Sequence, residues 1–540
     1  MPAVLEHTIG RWLHKLGAAV SPRLLREKLQ THPDYPSLLS VTDVLDELYI
    51  DNAALQMDTG RLHEAPLPLL AHNTSHAEFV IIENIEKQVK NNPAFEKNQN
   101  GAVLLAEKPL GWQHPENEKA LKEEKQKQKA LQATAGFVIV LAFLSFSREF
   151  SFTPAALLLT ALTGLTVAIL IVQREMGIAT PIGEKLCGAG GGNGCDAVMH
   201  SGGSRLVKWM SWADVGIIYF TTYSLLLTIA MYTGGNITVL VLLSAAALPF
   251  TLFSLFYQWR VVKKWCRLCL LTVAVLWLQA ALALAQVVMA KGDLWRAVVL
   301  NDFLLAAFLF TIISASWLLL IKPLLQNYKQ LLTEKFALLR FKNNPAVFES
   351  LLTQQRRVDT TPFEHDMQLG NPAAPLQIMV ACNPYCGPCA KAHEVLHDIL
   401  NSNDIGLTIR FTVKTEDRED KKTQAVQYLL KLLHYSSPAQ KRKALHDWFV
   451  WMNYEKFVTQ YPLRGNAPDV VRQLSLHEQW TKEAEIKFTP TVFINGFQMP
   501  KQYDAGTLKQ VLRRSEWLMK AEKKMMISYK KARDIIQSRG

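Results

Sequence analysis

The sequence predicts a multidomain protein, an α-helical membrane bundle of five or six spans flanked by a small N-terminal α+β domain and a C-terminal α/β domain. Three observations predict it. Charge is unevenly spread: 20% of the 540 residues are charged, yet only 18 charged residues fall between Leu131 and Ile321. That region carries six apolar stretches, at about 131–146, 154–172, 213–232, 237–257, 268–288 and 302–321. Lastly, all seven cysteines follow residue 186, and six of them form the pairs Cys187 with Cys195, Cys266 with Cys269, and Cys386 with Cys389. Paired thiols beside a membrane point to redox traffic or metal before structural staples. A hydrophobic content of 49% excludes a disordered chain. The net charge of +12 fits anionic lipid, and with no arginine-rich stripe interleaved with aromatics no nucleic-acid partner is expected.

Residues 1–112 read as the α+β domain. Ser21 and Pro22 supply an N-cap and a first helical residue for a helix through Leu29, and a second helix follows Ser37. Short runs with strand character follow, Ala53 to Met57, Phe79 to Ile82 and Ala102 to Leu105, separated by turns. Met1 to Gly17 lacks the pattern of a secretory signal. The chain then turns polar and lysine-rich, and Lys122 to Lys129 contains no Gly or Pro, so 113–130 reads as a charged linker or solvated helical spacer.

Residues 131–321 form the membrane domain. Five of the six stretches approach the ~20 residues that cross hydrocarbon, and 131–146 is short. Trp212, Trp259 and Trp265 mark span ends, and the stretches avoid ionised residues at their centres, where each costs about 2.5–3.5 kcal/mol.

After Lys322 the composition is that of a soluble domain, placed at 345–518. A strand, Gln377 to Ala381, runs into Cys386-Gly-Pro-Cys389 and a helix through Leu400. A strand Leu407 to Val413, a long helical stretch from about Lys422 to Ile486, a strand after Thr489-Pro490 and a final helix from about Ala505 follow. Cys386 at a helix N-terminus is placed for thiolate stabilisation and attack. The CxxC between strand and helix, with Thr489-Pro490 about a hundred residues later, resembles the thioredoxin superfamily, whose DsbA-like members carry inserted helices. The resemblance implies a cis-proline at Pro490 beside the dithiol. Half a zinc site, or the cluster spacing of radical SAM enzymes through Cys382, fits this context poorly, so no metal is expected and Cys382 reads as a buried small hydrophobe.

Cys187 and Cys195 enclose Gly188 to Gly194, too glycine-rich to hold one conformation, which suits a dithiol that swings between partners. Cys266-Arg-Leu-Cys269 opens an apolar span. With Cys195-Asp196, Val198 and Ser201, this arrangement resembles the vitamin K epoxide reductase family in its bacterial form, fused to a thioredoxin-like domain. The resemblance implies a membrane thiol oxidase using a quinone, ubiquinone or menaquinone. Its substrates would be reduced secreted or membrane proteins. They reduce Cys386–Cys389, Cys195 exchanges with that pair, Cys187 passes electrons to Cys266, and Cys269 meets the quinone, with Ser201 helping to hold it. Two rivals are a transmembrane reductant carrier running the same cysteines in reverse, and a peptide-export accessory.

The third resemblance is N-terminal. His32 to Leu39, Leu67 to His72 and His76 to Ile82 resemble peptidase C39-like domains, with His76 in the place of the catalytic histidine. No cysteine precedes residue 187, so a non-catalytic scaffold or peptide-binding role is implied. The family also implies the bacterial cytoplasmic membrane. For topology two arguments compete. With six spans every cysteine pair and both soluble domains share one side, whose inter-span loops hold eight basic residues against three opposite, and the positive-inside rule makes that side cytoplasmic. Disulfide relays work in oxidising compartments. Five spans leave the N-terminal domain cytoplasmic and the relay outside, and the extracytoplasmic relay is favoured.

Overall fold

The computed structural model describes residues 2–57, 63, 65–73, 78–84, 99–107, 111–146, 152–178, 183, 186–187, 194–199, 201–207, 209–233, 238–289, 300–364, 366–400, 405–417, 419–434, 436–463, 469–504, 506–508 and 511. The N-terminal domain places three helices, α1 (Pro2–Lys15), α2 (Pro22–Gln30) and α3 (Leu38–Glu47), with a four-stranded antiparallel sheet. Its strands are β1 (Asp51–Gln56), β2 (Leu69–Asn73), β3 (Glu78–Ile82) and β4 (Gln99–Glu107), in the order β1-β4-β2-β3. Ser21 caps α2 by accepting from the Leu24 N–H at 3.2 Å, and Ser37 caps α3 through Ser40 N–H at 3.2 Å. Helix α1 and strand β2 go beyond the elements expected from sequence. Strand β2 is internal, with Leu69, Leu70 and Ala71 all buried, so both of its faces are apolar and the alternation that flags a strand is missing.

Helix α4 (Pro115–Phe146) runs unbroken from the charged linker into the first apolar stretch. Most side chains over 115–130 are exposed, as a solvated helical spacer implies, but the opening turns are anchored. Asn117 is buried and bridges to the turn before α2, accepting from Ser21 N–H at 2.8 Å and donating to the Ala19 carbonyl at 2.9 Å, while Glu124 accepts from the Ser21 hydroxyl at 2.8 Å. The side chains of 134–146 lie outside the described residues.

The membrane bundle follows. Its helices are α5 (Phe152–Glu175), the short α6 (Cys195–Met199), α7 (Trp212–Thr233), α8 (Thr238–Phe256), α9 (Arg267–Met289), α10 (Leu300–Ala315) and α11 (Lys322–Lys342). Wide π-turns extend α8 through Tyr257–Val262 and join α10 to α11 through Ser316–Ile321. A two-stranded ribbon, β5 (Arg205–Val207) and β6 (Met210–Ser211), lies between α6 and α7. Among the described residues five helices are long and apolar enough to cross a membrane: Thr153–Glu175, Trp212–Thr233, Thr238–Val262, Arg267–Val288 and Leu300–Lys342. Their core joins Ala168 and Ile171 of α5, Ile217 and Phe220 of α7, and Leu268 and Leu276 of α9 with Cys187, Cys195 and Cys266, so the thiols are part of the packing. The helices α5 and α7 cross closely at Gly164, where a Cβ would stand 2.2 Å from the Phe220 ring.

The C-terminal domain comprises α12 (Pro345–Thr353), β7 (Met367–Gly370), β8 (Leu376–Cys382), α13 (Gly387–Ile399), β9 (Ile405–Phe411), α14 (Lys421–His434), α15 (Pro438–Trp451), α16 (Tyr454–Gln460), α17 (Val471–Glu483), β10 (Thr491–Ile494) and β11 (Phe497–Gln498). The sheet order is β11-β10-β8-β9-β7, and β8 with β9 is its parallel pair. A parallel pair joined by a helix, extended by an antiparallel hairpin next to β8, is the thioredoxin arrangement. The long helical stretch expected over 422–486 is four helices. Ser437 and Gln440 form a reciprocal capping box that restarts the chain at Pro438, Met452 turns left-handed at φ 42°, and Asn453 caps α16. The final helix expected from Ala505 lies almost wholly outside the described residues.

Candidate active site

The membrane domain brings four cysteines together in a row. Cys195 opens α6, and its sulfur accepts from the thiols of both Cys187 and Cys266 and from the backbone N–H groups of Leu268 and Arg267 at the start of α9. Cys266 in turn lies 2.6 Å from the Cys269 sulfur. Donation from Cys187 and Cys266, aided by the helix N-terminus, pulls Cys195 far below the ordinary thiol range, although desolvation opposes it. Cys187 and Cys266 are pushed up, chiefly because each donates to Cys195.

Several contacts hold this geometry. A Cβ on Gly194 would stand 2.3 Å from the Trp265 carbonyl oxygen, so only glycine lets the two cysteine segments meet this closely. Arg174 at the end of α5 grips Asp196 with two parallel hydrogen bonds of 2.8 Å, fixing α6. The buried Gln258, in the π-turn after α8, accepts from the Cys266 N–H at 2.8 Å. The sequence offered Asp196 as part of a motif but no signal for Arg174 or Gln258.

Cys269 alone of the four thiols reaches the wall of a cavity of about 300 Å³. Trp212, Tyr219, Phe250, Phe253 and Tyr257 are among its aromatic lining, with Gln258, Ser204 and Glu175 among its polar groups. The segment carrying Ser201 borders it, held by Gly203, whose N–H donates to the Tyr257 hydroxyl at 2.8 Å. Ser201 itself donates to the Val198 carbonyl at 2.6 Å, and the lining from this segment comes from Val198, Met199, Gly203 and Ser204. Beside the cavity, buried Asp214 accepts from Trp317 Nε1 at 2.9 Å, from Ser211 N–H at 2.7 Å and from the Lys322 ammonium, tying α7 to α10 and α11. An acidic residue inside an apolar span is the sequence signal for such a pairing.

The C-terminal centre is built at the junction of β8 and α13. Cys386 is the N-cap residue of α13 and its thiol donates to the Thr489 carbonyl at 3.4 Å. The Thr489–Pro490 bond is cis, as the resemblance implies. From α15, Trp448 donates to the Pro384 carbonyl at 2.9 Å and meets Tyr385 edge to face at 5.6 Å, so the inserted helices buttress the loop before the dithiol. Desolvation, then donation to Cys389, pushes the Cys386 thiol up. Cys389, fully buried, is drawn down to about 6, first by the thiol of Cys382 and also by the Asn383 N–H and Cys386. Burial removes solvent from Cys386 while the donors converge on Cys389, which outweighs the helix end. Cys382 is buried in the domain core, as the sequence reading has it, and its thiol also hydrogen-bonds Cys389. In the N-terminal domain His76 lies outside the described residues.

Two thiol centres, one beside an apolar cavity within a membrane bundle and one on a thioredoxin fold, define a membrane thiol–disulfide oxidoreductase. Residues 155–284 match the vitamin K epoxide reductase family and residues 9–92 the peptidase C39 family, and the C-terminal sheet has the thioredoxin order. No curated protein sequence matches it significantly. Among solved structures it is similar to BdbD from Bacillus subtilis (12% identity, 29% of this chain and 97% of that one, TM-score 0.24) and to DsbA from Chlamydia trachomatis (14%, 30% and 97%, 0.24). It is also similar to a conserved protein of unknown function from Enterococcus faecalis V583 (22%, 29% and 95%, 0.22).

Proposed function

We propose that the protein oxidises substrate dithiols and delivers their electron pairs to a membrane quinone. One observation carries this reading: four thiols in contact, the last in the wall of an aromatic-lined cavity. A substrate dithiol reduces the Cys386–Cys389 disulfide, and the resulting dithiol reduces Cys187–Cys195 by attack on Cys187. The expected order had Cys195 facing the thioredoxin-like domain; its contact with Cys266 favours Cys187 as the entry point instead. Cys195, the most acidic thiol of the row, leaves readily as thiolate and attacks Cys266 of a Cys266–Cys269 disulfide. Attack by Cys187 on the resulting Cys195–Cys266 bond restores the loop disulfide and leaves Cys266 and Cys269 as the reduced pair. The cavity suits a quinone ring: Trp212, Tyr219, Phe250 and Tyr257 would hold it and Cys269 would face it. When bound, a quinone supplies a two-electron acceptor.

The test is quinone reduction by the purified protein supplied with a reduced dithiol and either ubiquinone or menaquinone. Catalytic turnover is expected, and faster reduction of Cys386–Cys389 by a quinol would identify the reverse carrier instead. Enlarging Gly194 to alanine displaces Trp265 and parts Cys195 from Cys266. A misplacement of this kind costs about a hundredfold, read as lost quinone turnover with substrate oxidation by Cys386–Cys389 retained.

We place the redox cysteines outside the cytoplasmic membrane. With Trp212–Thr233 and its four companions as the only spans, the loop pair, Cys266 and the chain after the fifth span share one side, opposite the N-terminal domain. A membrane-impermeant maleimide applied to intact, mildly reduced cells is expected to label Cys386; labelling only after lysis of the inner membrane would reverse the orientation. The N-terminal domain is read as non-catalytic, a scaffold or peptide binder. Deleting residues 1–112 should leave quinone turnover within about twofold, since no residue there enters the relay; collapse of turnover would make the domain part of the machinery.

A further inference from the structure

The thioredoxin-like centre holds three thiols. Cys382 ends β8, paired with Phe411 of β9, and its carbonyl accepts from the Thr412 N–H at 2.8 Å and hydroxyl at 3.3 Å, so its backbone is pinned on the rigid sheet. It is 3% exposed and Cys389 is 0% exposed, whereas Cys386 is only partly buried. Cys382 and Cys389 lie in one buried cluster against which Cys386 packs, and the thiol of Cys382 hydrogen-bonds the Cys389 sulfur.

We infer that Cys382 is a third redox thiol, and that the oxidised domain exchanges between a Cys386–Cys389 disulfide and a buried Cys382–Cys389 disulfide. The step is an isomerisation. The Cys382 sulfur attacks Cys389, the Cys382–Cys389 bond forms, the Cys386–Cys389 bond breaks, and the proton lost by Cys382 is taken up by the departing Cys386. No electron is gained or lost, so no further oxidant enters. In the buried isomer the oxidising equivalent lies behind the dithiol while Cys386 is a free thiol at the surface. That state can attack a disulfide in a wrongly paired protein, which the Cys386–Cys389 form cannot.

The purified full-length chain, equilibrated in a glutathione redox buffer, quenched in acid and alkylated after denaturation, distinguishes the two forms. All three cysteines fall on the tryptic peptide from Val358 to Lys391. Fragmentation of its singly alkylated form shows which thiol was free. Alkylation at Cys386 in at least a tenth of these peptides is expected, the remainder at Cys382. Alkylation confined to Cys382 would overturn the inference. In Cys386→Ser, oxidation should protect Cys382 and Cys389 together. Free alkylation of both in that variant, with the other cysteine pairs oxidised normally, would equally overturn it. Since Cys386→Ser removes the exposed thiol and leaves the buried core intact, and the first measurement uses the unaltered chain, a folding defect in one variant does not decide the result.

Discussion

Replacing Cys269 with alanine is expected to lower quinone reduction by at least about a thousandfold while thiol exchange between Cys386–Cys389 and the loop pair continues. Cys269 is the thiol in the cavity wall, and the other three lie behind it. The variant keeps Cys187, Cys195 and Cys266, so the loop pair accepts electrons from the thioredoxin-like dithiol and stops, and Cys187, Cys195 and Cys266 should accumulate as free thiols. Quinol appearance and the alkylation of Cys187, Cys195 and Cys266 are measured in parallel. Undiminished turnover would show that electrons leave by another thiol, and loss of upstream exchange as well would show that Cys269 shapes the bundle instead of ending the relay.

The largest effect on stability is expected at Asp366. Its carboxylate is fully buried, accepting from Arg410 through Nε at 3.1 Å and Nη2 at 2.8 Å, from the Phe363 N–H at 2.8 Å, and from His477 Nε2 at 3.0 Å. The Phe411 N–H points at His477 Nδ1 at 3.4 Å, which leaves the ring proton on Nε2 for Asp366. Arg410 is sandwiched by Phe363 and Trp480, with its guanidinium carbon 3.7 Å and 4.8 Å from the ring centres. Asp366→Ala strands a buried guanidinium, for which about 3–5 kcal/mol is lost, a large share of the ~5–15 kcal/mol that holds a domain together. Chemical denaturation followed by tryptophan fluorescence measures it. A loss below about 1 kcal/mol would mean the site relaxes or fills with water. Desolvation alone would raise the Asp366 pKa, but the His477 and Arg410 hydrogen bonds hold it below the ordinary carboxylate range. The unfolded chain binds the proton more readily, so this stability is present above the ordinary carboxylate pKa and is lost as pH falls through the lowered one.

Much of the architecture is legible in the residues themselves. The spans from 154 onward follow from runs of apolar residues, since hydrocarbon selects length and composition and little else. The caps at Ser21 and Ser37, the strand entering Cys386 and the Thr489-Pro490 turn are local, each set by neighbours within a few residues. The pairing of the cysteines by spacing, and the family resemblance they carry, is equally a property of the chain in one dimension. Three things are not. Which loop thiol meets Cys266 depends on Gly194 packing against a carbonyl 71 positions later. The lowering of the Cys389 thiol depends first on Cys382, which reaches it from a strand end. The linker read as solvated is partly buried because Asn117 and Glu124 find the turn at Ser21 about a hundred residues earlier. Sequence decided what each segment is, because helix, span and cap are short-range choices. Tertiary structure decided which sulfur touches which, because a thiol's acidity and its exchange partner are set by groups within a few ångströms in space, whatever their distance along the chain.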